Sequence, residues 1–412
     1  MPTLATKAPE AAVDPFDVSR PELYRDDVWQ EPFRRLRAEA PVHKVEASGF
    51  GPYWSISTYK PIVHVESLPE LFSSEAGGIT IADFLPEGDV KMPMFIARDR
   101  PVHTGQRRTV APAFTPSEMV RMSENIRQRT VEILDGLEFG KAFDWVDTVS
   151  VELTTQMLAI LFDFPWEDRR KLTFWSDWAG DIELVKTEEL RKERLQHMYE
   201  CGAYFQNLWN QKVDKEPTPD LISMMIHSDA MAHMDHFEFI GNLILLIVGG
   251  NDTTRNTMSA LAYGLDLFPD ERAKLEADPS LIGNTVSEII RWQTPLAHMR
   301  RTATADYELE GQQIRAGDKL ALWYISANRD ESVFGDDADK IVIGRENARR
   351  HLAFGHGIHR CVGARLAELQ VGILLEEMAK RRMRVNVLSE PERVAACFVH
   401  GYRKMPVELS LY

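Results

Sequence analysis

The stretch HLAFGHGIHRCVGARLAEL, residues 351–369, places a cysteine between glycines and basic residues, just before a periodic apolar pattern. The chain has 3 cysteines, and Cys361 is the one whose neighbours form a pattern around it. Because the run after Cys361 has helical periodicity, the thiol is expected near a helix N-terminus, where the dipole and Arg360 favour a thiolate. Such a thiolate could serve as a nucleophile, a redox sensor or a metal ligand.

Composition excludes several classes of protein. Hydrophobic residues make up 44% and charged residues 27% of the 412 residues, as in ordinary globular proteins. The net charge of -15 argues against a nucleic-acid binder, which needs a basic surface. No signal peptide is recognisable, and the aliphatic run LILLIV, residues 243–248, is too short to span a bilayer. We expect a cytoplasmic monomer without a membrane anchor.

The order of patterns along the chain predicts one domain. Residues 1–20, rich in Ala and Pro, are expected to form a flexible arm, and residues 21–412 a single domain. Alternating stretches within residues 42–65 indicate strands, whereas residues 116–292 are mostly helical. YELEGQQIRAGDKLALWYIS, beginning at Tyr307, reads as hairpin strands with glycine turns. The predicted fold class is therefore mainly α (α+β), a large helical region with small β-sheets.

A long helix with a polar centre is predicted over residues 235–268. At 1.5 Å per residue its length would be roughly 45 Å. Gly249 and Gly250 in its middle each cost about 1 kcal/mol relative to Ala. One interpretation is a kink where another helix crosses. The other is a functional site, in which the glycines admit a flat ligand and Thr253 beside Asp252 relays protons.

Glu288 and Arg291, in the segment TVSEIIRW, are three residues apart on one predicted helix face, where they can pair. Such pairs are usually solvated surface features. Ile289, Ile290 and Trp292 surround this pair, so partial burial is expected.

The pattern F-G-x-G-x-H-x-C-x-G at residues 354–363 resembles the haem-binding loop of the cytochrome P450 superfamily, whose cysteine thiolate is the proximal iron ligand. The other sequence motifs of that superfamily are also found in this chain, in the same order. His-x-x-x-Arg matches residues 103–107, Gly-x-Asp-Thr-Thr residues 250–254, and Glu-x-x-Arg residues 288–291, a structural pair that the resemblance extends to Arg345. The resemblance implies the cytochrome P450 fold and a haem b cofactor.

The resemblance also implies roles for individual residues. Cys361 would be the axial ligand of the haem iron and would favour O–O cleavage. Asp252 and Thr253 would deliver protons during oxygen activation, while Gly249 and Gly250 leave room for oxygen and substrate. The other residues expected to contact the haem or its propionates are His103, Arg107, Arg301, Phe354 and His359.

Three stretches, IVGGNDTTRNTMS, MFIARDRPVHTGQRRTVAPAFTP and PLAHMRRTA, resemble the bacterial P450 subfamily that hydroxylates terminal carbons of medium-chain alkanes and fatty acids. That subfamily usually has Asp-Pro-Pro before its propionate histidine, whereas this chain has Asp99, Arg100 and Pro101. We expect this departure to alter the loop surface more than the chemistry.

The resemblance implies a haem-thiolate monooxygenase that inserts one oxygen atom of O2 into a C–H bond of a small hydrophobic substrate. The main hypothesis is terminal (omega) hydroxylation of medium-chain alkanes or fatty acids. The alternative is the same chemistry on a terpenoid or aromatic substrate. An alkyl chain requires an apolar pocket. The candidate pocket residues are Phe84, Ile96, Leu245, Val248, Ala297, Phe398 and Val399.

Electrons are expected from a separate protein, because no flavin or ferredoxin domain is recognisable after the cysteine. The expected donor is a ferredoxin, itself reduced by an NAD(P)H-dependent ferredoxin reductase. Arg349, Arg350, Arg360 and Arg365 cluster around the cysteine loop of an acidic protein, and this asymmetry suits an acidic ferredoxin.

Two other classes of protein remain open. A cysteine hydrolase could use Cys361 and His359, but it leaves the glycine-containing helix unexplained. A haem sensor without turnover would have no need of Asp252 and Thr253 for proton delivery.

Overall fold

The computed structural model describes residues 14–83, 91–180 and 187–412, and within these ranges helices dominate. The helices are α1 (Pro21–Arg25), α2 (Gln30–Glu39), α3 (Tyr59–Glu66), α4 (Val102–Val110), α5 (Pro116–Asp135), α6 (Glu152–Phe162), α7 (Arg170–Gly180), α8 (Glu188–Lys212), α9 (Leu221–Ile226), α10 (His236–Leu267), α11 (Pro269–Ala277), α12 (Ile282–Gln293), α13 (Tyr324–Ala327), α14 (Glu331–Phe334) and α15 (Ala364–Lys380). A π-helical segment, Val146–Val151, leads into α6. None of the helices within the described ranges is long and apolar enough to cross a bilayer.

The strands form small sheets, as expected for this fold class. They are β1 (Val42–Val45), β2 (Tyr53–Ile56), β3 (Phe72–Ser73), β4 (Phe143–Asp144), β5 (Met299–Ala303), β6 (Tyr307–Leu309), β7 (Gln312–Ile314), β8 (Lys319–Leu322), β9 (Met383–Val387), β10 (Glu392–Arg393), β11 (Tyr402–Lys404) and β12 (Pro406–Leu411). The largest sheet has the order β1-β2-β8-β5-β3, with β2 and β8 parallel. The predicted hairpin is confirmed as β6 and β7, which turn at Gly311 with φ +77°.

Two sequence predictions in the N-terminal region are wrong in part. Residues 59–66 form α3 instead of a strand, with Pro61 in the first turn, where its missing N–H costs nothing. Residues 14–20, the described end of the predicted flexible arm, pack against the domain. Val18 is fully buried, and Asp17 accepts a hydrogen bond from the Tyr53 hydroxyl at 3.0 Å. Apolar burial and this bond hold the segment against the domain.

Helix α10 is the central element, and its prediction is confirmed over 32 residues. The Asp235 side chain caps it by accepting hydrogen bonds from the N–H groups of Phe237 and Glu238. Its first half packs into one apolar core cluster through residues such as Leu243, and its second half into another through residues such as Leu261. The helix remains continuous through its glycines, so the central polar run lies between the two clusters.

The Glu288–Arg291 pair is buried completely, with both side chains 0% exposed. Two hydrogen bonds of 2.7 and 2.8 Å join the guanidinium to the carboxylate. Arg345 adds a bond of 3.0 Å to the same carboxylate, as the sequence resemblance implied. Arg291 also donates to the main-chain oxygens of Asn328, Ala338 and Lys340. These bonds fix α12 against the segment that leads to the cysteine loop.

Candidate active site

A cavity of about 1440 Å³, partly open to solvent, lies between α10 and the cysteine loop. Residues of both predicted motifs line it: Gly249, Gly250 and Thr253 from α10, and Phe354, His359 and Cys361 from the loop.

Cys361 lies three residues before α15, as its sequence context predicted. Its N–H donates to the main-chain oxygen of Phe354 at 2.8 Å, which closes the loop. Gly357 has φ +65°, and a Cβ there would lie 2.3 Å from the main-chain oxygen of Glu66. The glycine is therefore required both for the turn and for close packing of the loop on the end of α3.

Cys361 is exposed to the cavity. Desolvation by the protein packed around its sulfur raises the pKa of the thiol, whereas the N–H of Gly363 and the cations Arg107 and Arg360 lower it. A metal ion at this sulfur would displace the thiol proton on binding. Cys201 and Cys397 are fully buried in the core and do not line the cavity.

Four basic residues line the same cavity: His103, Arg107, Arg301 and His359. The rings of His103 and His359 lie with centroids 4.3 Å apart. Burial, reinforced by nearby arginines, lowers the pKa of His103 to about 4 and that of His359 to about 2. Both imidazoles are therefore neutral near neutral pH. Within the described ranges, both ring nitrogens of His103 and Nδ1 of His359 have no hydrogen-bond partner.

These residues fit the haem that the sequence resemblance implied. Buried ring nitrogens without partners are costly, and a propionate oxygen would supply an acceptor for a ring N–H. Arg107 and Arg301 would balance the charge of such anions through charge-assisted hydrogen bonds. Gly249 faces open space, because a Cβ there would meet no atom within 4 Å. A wide, flat ring with anionic arms matches these walls.

The two predicted proton-delivery residues face different sides of α10. Thr253 lines the cavity and donates its hydroxyl to the main-chain oxygen of Gly249 at 3.0 Å. Asp252 does not line the cavity, contrary to a direct catalytic placement. Its carboxylate accepts a hydrogen bond from Ser176 on α7 at 2.8 Å and pairs with Arg255 at 3.1 Å. Adjacent helical residues point about 100° apart, which accounts for the division.

Arg255 connects Asp252 to the surface of the molecule. It also pairs at 2.8 Å with Asp177, whose side chain is 53% exposed. Asp252 itself is nearly fully buried. A chain of charged groups therefore runs from solvent to the rear of the helix turn that carries Thr253.

The predicted substrate residues are divided by the structure. Ile96 and Leu245 line the cavity, whereas Val248, Ala297, Phe398 and Val399 do not. Phe84 lies outside the described residues. The C-terminal loop instead supports the wall from behind, where Val399 forms a β-bridge with Leu296 and Ala297 donates its N–H to the oxygen of Phe398.

Sequence reasoning missed residues next to those it selected. The cavity wall includes Leu296 and Met299 on the segment of Ala297, and Leu246 beside Leu245. Ala297 instead packs in the cluster that contains Trp323. One-residue offsets of this kind change the direction of a side chain and leave no signal in an apolar sequence.

The segment Asp99-Arg100-Pro101, which replaces the usual Asp-Pro-Pro of the subfamily, alters the surface of the loop, as expected. The Arg100 side chain is 56% exposed and contacts Glu70 at 3.4 Å. Asp99 accepts hydrogen bonds from the Ser73 hydroxyl and the Ser74 N–H, so it fixes the loop before α4.

Comparisons with known proteins agree with this geometry. A family model described as Cytochrome P450 matches residues 109–381. Linalool 8-monooxygenase of Pseudomonas putida is 35% identical over 95% of this chain and 98% of its own. Methyl-branched lipid omega-hydroxylase of Mycobacterium tuberculosis (strain ATCC 25618 / H37Rv) is 31% identical over 98% and 97% of the two chains.

Two solved structures are more similar in sequence than these relatives. CYP153D17 from Sphingomonas sp. PAMC 26605 is 83% identical, with a TM-score of 0.92 over 96% of this chain and 99% of that one. Cytochrome P450-153 from Novosphingobium aromaticivorans is 61% identical, with a TM-score of 0.91 over 96% and 100%.

Proposed function

The chain belongs to the cytochrome P450 family and is a haem-dependent monooxygenase, and on that premise we propose that it hydroxylates the terminal carbon of medium-chain alkyl substrates, with Cys361 as the iron ligand. One arrangement supports the ligand assignment: Cys361 shares a cavity with four basic residues suited to propionates and with the glycines of α10. A cysteine hydrolase accounts for neither feature.

When bound, a haem with a cysteine thiolate ligand supplies the activation and cleavage of O2. His103, Arg107, Arg301 and His359 would hold the propionates of this cofactor and so fix its orientation. Apolar side chains of α10 and α6 line the space beside it and disfavour water there, which favours directed proton transfer. The chain's main chemical contribution is then to place the cofactor and to supply protons at defined atoms.

Thr253 holds a transferable proton at its hydroxyl, which can turn from the Gly249 oxygen towards the cavity. Asp252 acts from behind the helix and resupplies protons from the solvent side. To do so, its carboxylate must release Ser176 or Arg255, which hold it in the described arrangement. A haem sensor without turnover would not need this supply.

An apolar substrate fits the part of the cavity that hydrophobic side chains line. Its walls there include Ile96, Leu245, Leu246, Leu296 and Met299. A terminal methyl is harder to oxidise than internal carbons, so selectivity requires a channel that admits only the chain end. The name of the lipid omega-hydroxylase relative supports terminal attack.

A terpenoid substrate is the second candidate. It is favoured by the similarity to a protein named linalool 8-monooxygenase, at 35% identity across nearly the whole chain. The same apolar walls could hold a branched terpenoid in place of a straight chain.

The family requires a redox partner, and we infer that an acidic ferredoxin supplies the electrons here, reduced in turn by its own reductase. Arg349, Arg350, Arg360 and Arg365 are all exposed on and around the cysteine loop. Because the whole chain has a net charge of -15, this basic patch stands out as a docking surface for an acidic protein.

Binding of a homologous series tests the substrate proposal. Each buried CH₂ contributes about 0.8 kcal/mol, so the affinity for alkanes, primary alcohols or fatty acids should rise about fourfold per carbon until the channel is full. The measurement is a spectral titration of the haem protein, followed by product analysis. Affinity indifferent to chain length, or oxidation mainly at internal carbons, would contradict the proposal. Tighter binding and cleaner oxidation of linalool would favour the terpenoid candidate.

A further inference from the structure

Glu66, the last residue of α3, has a side chain that is 1% exposed, and no sequence motif pointed to it. Its Oε1 accepts hydrogen bonds from Nη2 of Arg301 at 2.9 Å and from the Tyr324 hydroxyl at 2.5 Å. Its Oε2 accepts one from the N–H of His356 at 2.9 Å. One carboxylate therefore joins β5, α13 and the cysteine loop.

The geometry fits the ionised form of this carboxylate. A guanidinium and a backbone N–H can only donate, so both oxygens of Glu66 act as acceptors. Burial raises the pKa of Glu66, while Arg301, Tyr324 and the N–H of His356 oppose that rise. Loss of the charge would leave Arg301 without its buried counter-ion.

We propose that Glu66 is a positioning residue that locks Arg301 to the cysteine loop and sets the positive charge that Arg301 presents to the haem. Arg301 and Tyr324 line the cavity, whereas Glu66 stands behind them and does not. Gly357 allows this loop to pack against Glu66, since any Cβ there would collide with the Glu66 main chain. The proposal rests on the proposed role of Arg301 at the haem.

The electrostatic consequence has a definite sign. Arg301 pairs with Glu66 and lines the cavity in which the cofactor would lie. Removing the negative charge of Glu66 increases the net positive charge beside the haem, which favours the reduced iron over the oxidised iron. Hydrogen bonds to the residues that contact a cofactor change its reduction potential.

The test is a potentiometric titration of the haem protein with Glu66→Gln, which keeps the side-chain shape and removes the charge. The potential should move in the positive direction relative to wild type. Glu66→Asp retains the charge and should titrate close to wild type, as should Tyr324→Phe, which deletes one donor only. Glu331→Gln is the matched control, because Glu331 pairs with Arg37 at 2.7 Å and does not line the cavity.

An unchanged potential in Glu66→Gln, at normal haem content, would overturn the proposal. A positive shift in Glu66→Asp or in Tyr324→Phe equal to that expected of Glu66→Gln would also overturn it, because packing and not charge would then be responsible. If the Gln variant does not fold, the Asp variant still tests the packing explanation, because a positive shift in it would overturn the proposal. A wild-type protein with no thiolate-ligated haem would instead contradict the proposed function.

Discussion

The hydroxyl of Thr253 donates to the main-chain oxygen of Gly249, one helical turn earlier, at 3.0 Å. Both residues line the cavity, and nothing lies within 4 Å of the position a Cβ of Gly249 would occupy. The donor and its acceptor are thus open to a ligand, and the hydroxyl can exchange partners without movement of the backbone.

Replacing Thr253 with Ala should leave haem and substrate binding intact but divert electrons into peroxide or water, because the proton is no longer delivered from a fixed point. The measurement is the ratio of product formed to NADH consumed. Thr257→Ala, one turn along the same cavity wall, is the matched control. It should form more product per NADH consumed than the Thr253 variant. Full coupling in the Thr253 variant would show that this hydroxyl is not the relay.

The buried pair of Glu288 and Arg291 should dominate the stability of the cysteine side of the domain. Breaking a buried pair by removing one partner usually costs about 3–5 kcal/mol, so Glu288→Gln should lower the free energy of unfolding by that amount. Urea denaturation followed by circular dichroism measures the change. Glu118→Gln, in the surface pair with Arg121, should cost less than about 1 kcal/mol. Equal losses in the two variants would contradict this account.

His298 should make the protein less stable in acid. Burial lowers its pKa to about 4 from 6.5, against an opposing hydrogen bond to the oxygen of Cys397. The unfolded chain therefore binds more protons in this interval, and stability is complete above pH 6.5 and falls as the pH drops towards 4. His298→Asn should flatten that fall, measured as the urea midpoint against pH. A slope identical to that of wild type would contradict the prediction.

Reversing the charge of Arg365 should weaken electron transfer from an acidic ferredoxin. Arg365→Glu should raise the KM for the ferredoxin and reduce the salt dependence of the association rate, while dithionite still reduces the haem normally. Arg315→Glu is the control, since its side chain is 64% exposed, follows the β6–β7 hairpin and pairs with Asp306. The docking surface lies elsewhere if both variants behave as wild type.

The motifs were predictable from sequence because each depends on residue types at fixed short spacings. The loop around Cys361, the Glu288–Arg291 pair with Arg345, and α10 were all found where expected. The direction of side chains was less predictable. Asp252 faces α7 and Ala297 packs in the core, and neither direction follows from residue types and spacing alone.

Contacts between distant segments were beyond sequence reasoning. Glu66 is 235 residues from Arg301 and 290 from His356, and only the fold brings them together. The net direction of the Cys361 pKa was also beyond sequence reasoning. Arg107 and Arg360 lower this pKa, as their charges suggest, but desolvation around the sulfur raises it.

The absorption spectrum of the reduced protein with carbon monoxide tests the central claim, that Cys361 is the thiolate ligand of a haem, most directly. Wild type and Cys397→Ala should both show the strongly red-shifted Soret band of thiolate-ligated haem, and Cys361→Ala should not. A wild-type spectrum without that band, or one in which the band persists after Cys361 is replaced, would contradict it.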